Sequence, residues 1–241
     1  MSRLFLVRHG QSIWNLQNRF TGWVDVSLSP QGVKEAQQAA ALLAGERFDV
    51  AFTSALLRAQ DTLYEILKCN RYCQQYVRVH EKSSEWYEHF VPTEGDANEL
   101  RIYVSEKLNE RYYGDLQGLN KDWARKRFGE KRVHLWRRSY DVPPPNGESL
   151  KMTAERTIPY YREKIVPHLR RGEHVLVSAH GNSLRSIVMY IERMTPSQIV
   201  EYELETGSPH LYEFDPNMRL VAKRVFSVSA GKEVSHRVQS E

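Results

Sequence analysis

The chain has 241 residues, 41% hydrophobic and 27% charged, with 34 Lys and Arg against 30 Asp and Glu and a formal net charge of +4. This length accommodates one α/β domain with a substantial core but not two, and the composition is that of a globular protein rather than a disordered one. The mixed charge has no long basic block, which gives no indication of nucleic-acid binding, and no apolar run approaches the roughly 18–20 residues that span a bilayer. The amino terminus enters a strand-like run without an apolar leader, so the mature chain is expected to begin at or near Met1. The two cysteines, Cys69 and Cys73, match neither a redox pair nor half of a zinc site and read as thiols of a reducing cytoplasm.

In chain order, residues 4–7 form an apolar strand that ends in Arg8-His9-Gly10, followed by a polar loop over 10–27. Ser29 is placed to cap a helix that starts at Pro30 and runs to about Ala44, burying Ala36, Ala39, Ala40 and Leu43. Gly45 stops it. Residues 48–53 give a second strand, and Ser54 is expected to start a helix reaching about Leu67. Residues 76–79 read as a third strand. Residues 148–169 read as a long helix kinked by Pro159 near Ile158, and 173–179 as a fourth strand ending in His180-Gly181. Residues 210–214 read as a final edge strand. Two charged, aromatic stretches, 81–106 and 111–145, break this alternation and are expected to lie over a cleft as helical and loop insertions. Strands alternating with helices imply an α/β fold, a doubly wound and mostly parallel sheet with helices on both faces.

Such a sheet places its ligand crevice at the carboxyl ends of the strands. Two buried strands that each end in His-Gly can therefore bring His9 and His180 together across one site. A neutral imidazole is a competent nucleophile when its second nitrogen is tied to a backbone carbonyl, and His9 sits where that bond is easily made. A phosphoryl group in transfer needs dense, fixed donors, which the planar fork of arginine supplies; Arg8 and Arg58 are the candidates.

The segments Leu6-Val7-Arg8-His9-Gly10-Gln11-Ser12, Trp14-Asn15 and Phe20-Thr21-Gly22-Trp23 closely resemble the histidine phosphatase superfamily and, within it, the bisphosphoglycerate-dependent phosphoglycerate mutases. So do Leu108-Asn109-Glu110-Arg111-Tyr112-Tyr113-Gly114, Gln117-Gly118-Leu119-Asn120-Lys121, Trp136-Arg137-Arg138-Ser139-Tyr140 and Ala179-His180-Gly181-Asn182-Ser183-Leu184-Arg185. The resemblance extends to about Phe214. It implies that His9 is the phosphorylated nucleophile, that His180 stabilises the transferring group, and that Arg8, Arg58 and Asn15 cradle it. Glu110 becomes the general acid/base that handles the proton of the substrate hydroxyl. Arg111, Tyr113, Lys121, Arg137 and Arg138 are implied to bind the carboxylate and second phosphate, with Ser12, Thr21, Gly22, Gly181 and Asn182 completing the pocket.

The implied reaction is the glycolytic interconversion of 3- and 2-phosphoglycerate, an intramolecular phosphoryl transfer through a phosphohistidine enzyme and a bisphosphorylated intermediate. It uses 2,3-bisphosphoglycerate as primer and no metal, with small phosphorylated glycerates as partners, no nucleic acid or membrane, a homodimer as the assembly to test and the cytoplasm as location. The alternatives are a histidine-type phosphomonoesterase and a bisphosphoglycerate synthase on the same scaffold. The organisation expected is one domain over 1–241 with an extended insertion around 81–105, acidic and aromatic, and a C-terminal flap over 215–241. The insertion lengthens the chain between Arg58 and Glu110 relative to the family, whereas Pro145-Asn146-Gly147-Glu148 is a tight connection where relatives carry a longer loop.

Overall fold

Ser2–Arg8 forms the first strand, β1, whose Leu4, Phe5, Leu6 and Val7 are all fully buried. Leu4 and Leu6 pack on one side of the sheet and Phe5 and Val7 on the other, so an unbroken apolar run is what a strand covered on both faces requires. The computed structural model describes residues 1–80, 99–227 and 232–236. After β1 come α1 (Ile13–Leu16), α2 (Pro30–Leu43), β2 (Val50–Thr53), α3 (Leu57–Cys69), β3 (Gln75–Val79) and β4 (Glu99–Val104). Two 3-10 turns lead to α4 (Lys121–Phe128), α5 (Glu130–Arg138), α6 (Leu150–Tyr160), α7 (Val166–Arg170), β5 (His174–Ala179), α8 (Gly181–Glu192) and α9 (Pro196–Glu201). The strands β6 (Pro209–Phe214), β7 (Leu220–Ser227) and β8 (Lys232–His236) complete the described fold.

The sheet has the order β3-β4-β2-β5-β1-β6-β7-β8. Pairing is parallel from β3 through β1 and antiparallel from β1 through β8, which is the mostly parallel, doubly wound sheet expected. Helices α2 and α3 cover one face through Ala39, Ala40, Leu43, Leu63 and Ile66. On the other face α6 and α8 supply Leu150, Leu184, Ile187 and Val188. A third cluster of Phe20, Leu116, Ala124, Val133 and Trp136 joins α4 and α5 to the loop after β1, so the 111–145 region is packed on its own small core.

Four boundaries differ from the sequence reading. Ser54 does not cap α3: Leu56 occupies that position without a side-chain bond, and the carboxylate of Asp25, far upstream, accepts from Leu57 N at 2.7 Å. The long helix is not one continuous α-helix. Pro159 lies on the exposed face, as does Glu155, whose carbonyl loses its helical donor, and the ladder changes instead across a π-helical turn, Tyr161–Ile165. That turn precedes Pro167, a second residue without an N–H, and it brings both Tyr161 and Ile165 into the core.

The third difference concerns the insertion around 81–105. Residues 99–104 are β4, inside the sheet between β3 and β2, and the remaining part of the expected insertion, 81–98, lies outside the described residues. The fourth concerns the C-terminal segment. β6 is not an edge strand, and within the expected flap of 215–241 residues 220–227 and 232–236 extend the sheet beside it. The Asp215 carboxylate accepts from Asn217 N and Arg219 N and so turns the chain back, while Lys223 reaches Glu192 of α8 at 2.7 Å. The rest of that segment lies outside the described residues.

The turn after β1 is set by close backbone approach. A Cβ on Gly32, in the first turn of α2, would stand 2.0 Å from the carbonyl oxygen of Gln11, and one on Gly10 would stand 2.2 Å from that of Gly32. Gly45, by contrast, has nothing within 4 Å. Gly32→Ala is therefore expected to destabilise the fold by about 1–3 kcal/mol, read as a lower urea midpoint, while Gly45→Ala leaves the midpoint within experimental scatter.

Candidate active site

Parallel pairing of β1 with β5 sets Arg8 beside Ala179, and His9 N donates to the Ala179 carbonyl at 3.0 Å. The residues that follow each strand, His9 and His180, consequently emerge at the same edge with ring centroids 4.8 Å apart. His9 Nδ1 lies 2.6 Å from the Gly10 carbonyl, which fixes the proton on Nδ1 and leaves Nε2 with its lone pair. The peptide N–H of Gly10 is held by the Thr62 hydroxyl at 3.2 Å, so α3 steadies the imidazole through one intermediary. His180 Nε2 meets the Ser54 hydroxyl at 2.7 Å, while its Nδ1 is buried without a partner among the described residues.

Both rings stay neutral. Burial first, then the positive charges of Arg58 and Arg8, hold His9 well below the ordinary histidine value against the opposing bond to Gly10. His180 is lowered by burial, then by Arg58 and by His9 itself.

A cavity of about 140 Å³ opens over the His9 ring. It is lined by eight cationic side chains and two carboxylates, a charge excess that calls for an anion. Arg58, 1% exposed on α3, donates to the carbonyls of Gly22 at 2.7 Å and Val24 at 3.0 Å. Burial draws its value down to about 10. Arg8 donates through Nη1 to Leu204 O at 2.8 Å, and its buried Nε has no partner among the described residues. Arg111 is 1% exposed; Nη2 reaches the Tyr113 hydroxyl and Arg137 O, and Nε and Nη1 are likewise unpartnered, as is the Thr21 hydroxyl. Buried donors left open are costly unless a ligand fills them. This is the physical mark of an anion cradle.

Glu110 enters from the segment after β4. Its Oε1 accepts from Asn182 Nδ2 at 2.7 Å, from Asn182 N at 3.3 Å and from Arg111 N at 2.7 Å, and Oε2 takes none of these bonds. Two groups anchor its backbone carbonyl: Trp23 Nε1 at 2.6 Å and Arg156 Nη2 at 2.9 Å. Further out, Tyr113, Lys121, Arg137 and Arg138 line the cavity from the α4–α5 region. Lys121 and Arg137 are both lowered, by burial first and then by neighbouring cations. Burial alone would raise Tyr113, but Arg111, stacked 4.8 Å from the ring, holds it below its ordinary value.

All but one of the residues implied by the sequence line this cavity or stand at its floor: Arg8, His9, Asn15, Thr21, Gly22, Arg58, Glu110, Arg111, Tyr113, Lys121, Arg137, Arg138, Gly181 and Asn182 line it, with His180 behind His9. Ser12 does not. It is fully buried as the cap of α1, accepting from Asn15 N while Asn15 Oδ1 accepts from Ser12 N, and so acts on the cavity through Asn15. The sequence reading missed Ser54, Thr62, Arg156, Arg19, Arg185 and Glu203. Arg185 alone had a visible signal, four residues after Gly181 and thus on the same face of α8. Among the described residues no group of three or more His, Cys, Asp or Glu forms a metal-binding cluster, and no helix is long and apolar enough to cross a membrane.

Depressed histidines make stability depend on pH. His210, outside the cavity on β6, is lowered to about 4 by burial and then by Lys223. Between about 6.5, the unfolded value, and these lower folded values the unfolded chain binds protons that the native chain does not. Stability is therefore fully present above about pH 6.5 and is lost as pH falls toward 4, by up to about 1.4 kcal/mol per pH unit for each such histidine. Urea midpoints between pH 7.5 and 5 are expected to fall, and to fall less steeply in His210→Gln.

The model of the histidine phosphatase superfamily (branch 1) matches residues 4–92 and 88–225. A 2,3-bisphosphoglycerate-dependent phosphoglycerate mutase of Pseudoalteromonas atlantica is 66% identical over 225 residues, covering 93% of this chain and 99% of that protein. A phosphoglycerate mutase of Schizosaccharomyces pombe is 50% identical, covering 92% and 94%. Among solved structures, Bacillus stearothermophilus YhfR superposes with a TM-score of 0.71 at 22% identity, over 91% of this chain and 94% of its own. A mycobacterial glucosyl-3-phosphoglycerate phosphatase complexed with VO3 gives 0.68 at 23%, over 88% and 92%. These two share the fold. With two strand-end histidines under a cage of arginines and relatives this similar over nearly its whole length, the chain belongs to the histidine phosphatase superfamily and, within it, to the 2,3-bisphosphoglycerate-dependent phosphoglycerate mutases.

Proposed function

We propose that the chain is an isomerase that interconverts 3-phosphoglycerate and 2-phosphoglycerate in glycolysis by phosphoryl transfer through His9. The observation that carries this reading is the set of open, buried donors, Arg8 Nε, Arg111 Nε and Nη1 and Thr21 Oγ1, together with the unpartnered His180 Nδ1, around an imidazole whose free nitrogen is Nε2. With His9 phosphorylated, the free hydroxyl of the bound phosphoglycerate attacks that phosphorus while Glu110 takes its proton and the bond to His9 Nε2 breaks, giving 2,3-bisphosphoglycerate. His9 Nε2 then attacks the other phosphorus as its bond to the glycerate oxygen breaks, and Glu110 returns the proton to that oxygen. Arg8, Arg58, Asn15 and His180 meet the charge on the transferring oxygens. Arg111, Tyr113, Lys121, Arg137 and Arg138 hold the carboxylate and second phosphate.

The same cation set is suited to 2,3-bisphosphoglycerate as primer, which supplies the phosphoryl group on His9. The proposed reaction uses no metal, because the guanidinium groups neutralise the charge. A homodimer in the cytoplasm, without a nucleic-acid or membrane partner, completes the proposal, and sedimentation with cell fractionation tests that part of it. The phosphatase among the solved structures compared is under 25% identical and speaks to fold alone.

The deciding experiment is a coupled mutase assay on 3-phosphoglycerate with excess chelator, with and without catalytic 2,3-bisphosphoglycerate. Activity is expected to survive the chelator and rise with the bisphosphate; release of free phosphate without isomerisation would mark a phosphomonoesterase instead, and net accumulation of bisphosphate a synthase. His9→Ala is expected to abolish acid-labile phosphate on the protein. Glu110→Gln should slow transfer by about 10²–10⁴-fold while the fold, read by its urea midpoint, is retained.

A further inference from the structure

The cavity holds a second carboxylate that the proposed chemistry leaves without a task. Glu203, in the connection between α9 and β6, lies 2.6 Å from Arg138 Nη1 and 3.4 Å from Arg185 Nη2 through the same oxygen, Oε1. Its side chain is 60% exposed at the mouth of the cavity, where that of Arg185 is 11% exposed. The backbone on either side is tied to cavity arginines: Arg185 Nε donates to Tyr202 O at 2.7 Å and Arg8 Nη1 to Leu204 O at 2.8 Å. The connection is thus pinned at both flanks while the carboxylate itself reaches a guanidinium meant, in the proposed reaction, for substrate.

We infer that Glu203 is a specificity-determining residue: in the free enzyme it occupies Arg138 in place of a substrate anion, and its negative charge selects against the more highly charged ligand. This rests on the proposed mutase reading. An anion that takes Arg138 must displace the Glu203 carboxylate and then sit beside its charge. A bisphosphorylated glycerate bears that repulsion more heavily than a monophosphorylated one, so Glu203 narrows the gap in affinity that eight cations would otherwise create. The device keeps the bisphosphorylated species exchangeable in a site built to attract anions. Arg138, Arg185 and Arg8 hold Glu203 below the usual carboxylate range against the opposing effect of burial, so its charge persists throughout the neutral range. A residue present only to fasten the connection would have no need of charge, because Tyr202 and Leu204 are already fastened by their carbonyls.

The test compares wild type with Glu203→Gln, which keeps the shape and hydrogen-bonding oxygen and removes the charge, and with Glu203→Asp, which keeps the charge. Binding is measured by calorimetry in a His9→Ala background, where no transfer occurs, using 2,3-bisphosphoglycerate, 3-phosphoglycerate and inorganic phosphate as probes. For Glu203→Gln the affinity for 2,3-bisphosphoglycerate is expected to rise about two- to fivefold and that for 3-phosphoglycerate by less, the range expected of a partly exposed ion pair. Glu203→Asp should return the ratio toward the wild-type value. An unchanged ratio, or equal weakening of both ligands with a lower urea midpoint, would overturn the inference and leave Glu203 a fastening of the loop. The outcome is separable from the functional reading: failure of the mutase assay with the wild type refutes that reading, whereas the ratio of bisphosphate to monophosphate binding is read without turnover.

Discussion

Parallel registry between β1 and β5 is the constraint on which the site depends. One backbone bond, His9 N to Ala179 O, closes that ladder at its carboxyl end and places two imidazoles side by side where both strands stop. A slip of one residue in either strand would exchange Leu4 and Leu6 for Phe5 and Val7 between the two faces of the sheet, so the packing of the core on both sides holds the registry that the histidines need. Strand β2 ends at the same edge, with Thr53 paired to Ser178, which is why Ser54 arrives within reach of His180.

Around those rings the protein gathers cations that repel one another and resist burial. Backbone carbonyls make this tolerable: Gly22 and Val24 accept from Arg58, Leu204 from Arg8, and Arg137 from Arg111. These bonds orient each guanidinium yet use only part of its donor capacity, and the remaining N–H groups face the cavity or lie buried beside it. The stored electrostatic cost is what an incoming phosphate relieves. The same environment keeps His9 and His180 neutral, so the charge that suits the cavity to an anion also leaves the lone pair of His9 Nε2 unprotonated.

Glu110 shows how far the supporting structure extends from the chemistry. It is oriented by Asn182 on one side, and its backbone is clamped by Trp23 and Arg156 on the other. Arg156 in turn pairs with Glu148 at 2.9 Å and binds four of the five carbonyls from Glu106 to Glu110, all but that of Leu108, fixing a short segment that otherwise has only a 3-10 turn. Glu148 is kept ionised for this purpose: burial would raise it, and Arg156, Tyr112 N and Thr153 together hold it below the ordinary carboxylate range.

The sequence by itself determined what local pattern can carry. The apolar runs before His9 and His180 determined the parallel strands, Ser29-Pro30 determined the start of α2, and the motifs around Arg8, Glu110 and Asn182 named nearly all the residues that line the cavity. Tertiary structure decided everything set by contacts between distant segments. Ser54 reads as a cap but serves His180 because Asp25 caps α3 from across the chain. Ser12 sits inside a family motif, yet its hydroxyl is spent on α1. The exposed charge of residues 99–104 concealed a strand whose pairing with β2 and β3 is non-local, and the C-terminal segment became strands because β6 offered an open edge. Arg156 and Glu203 carry no periodicity or spacing that marks them. Their roles come from partners 46 and 65 positions away, distances at which only the folded chain brings charge and carbonyl together.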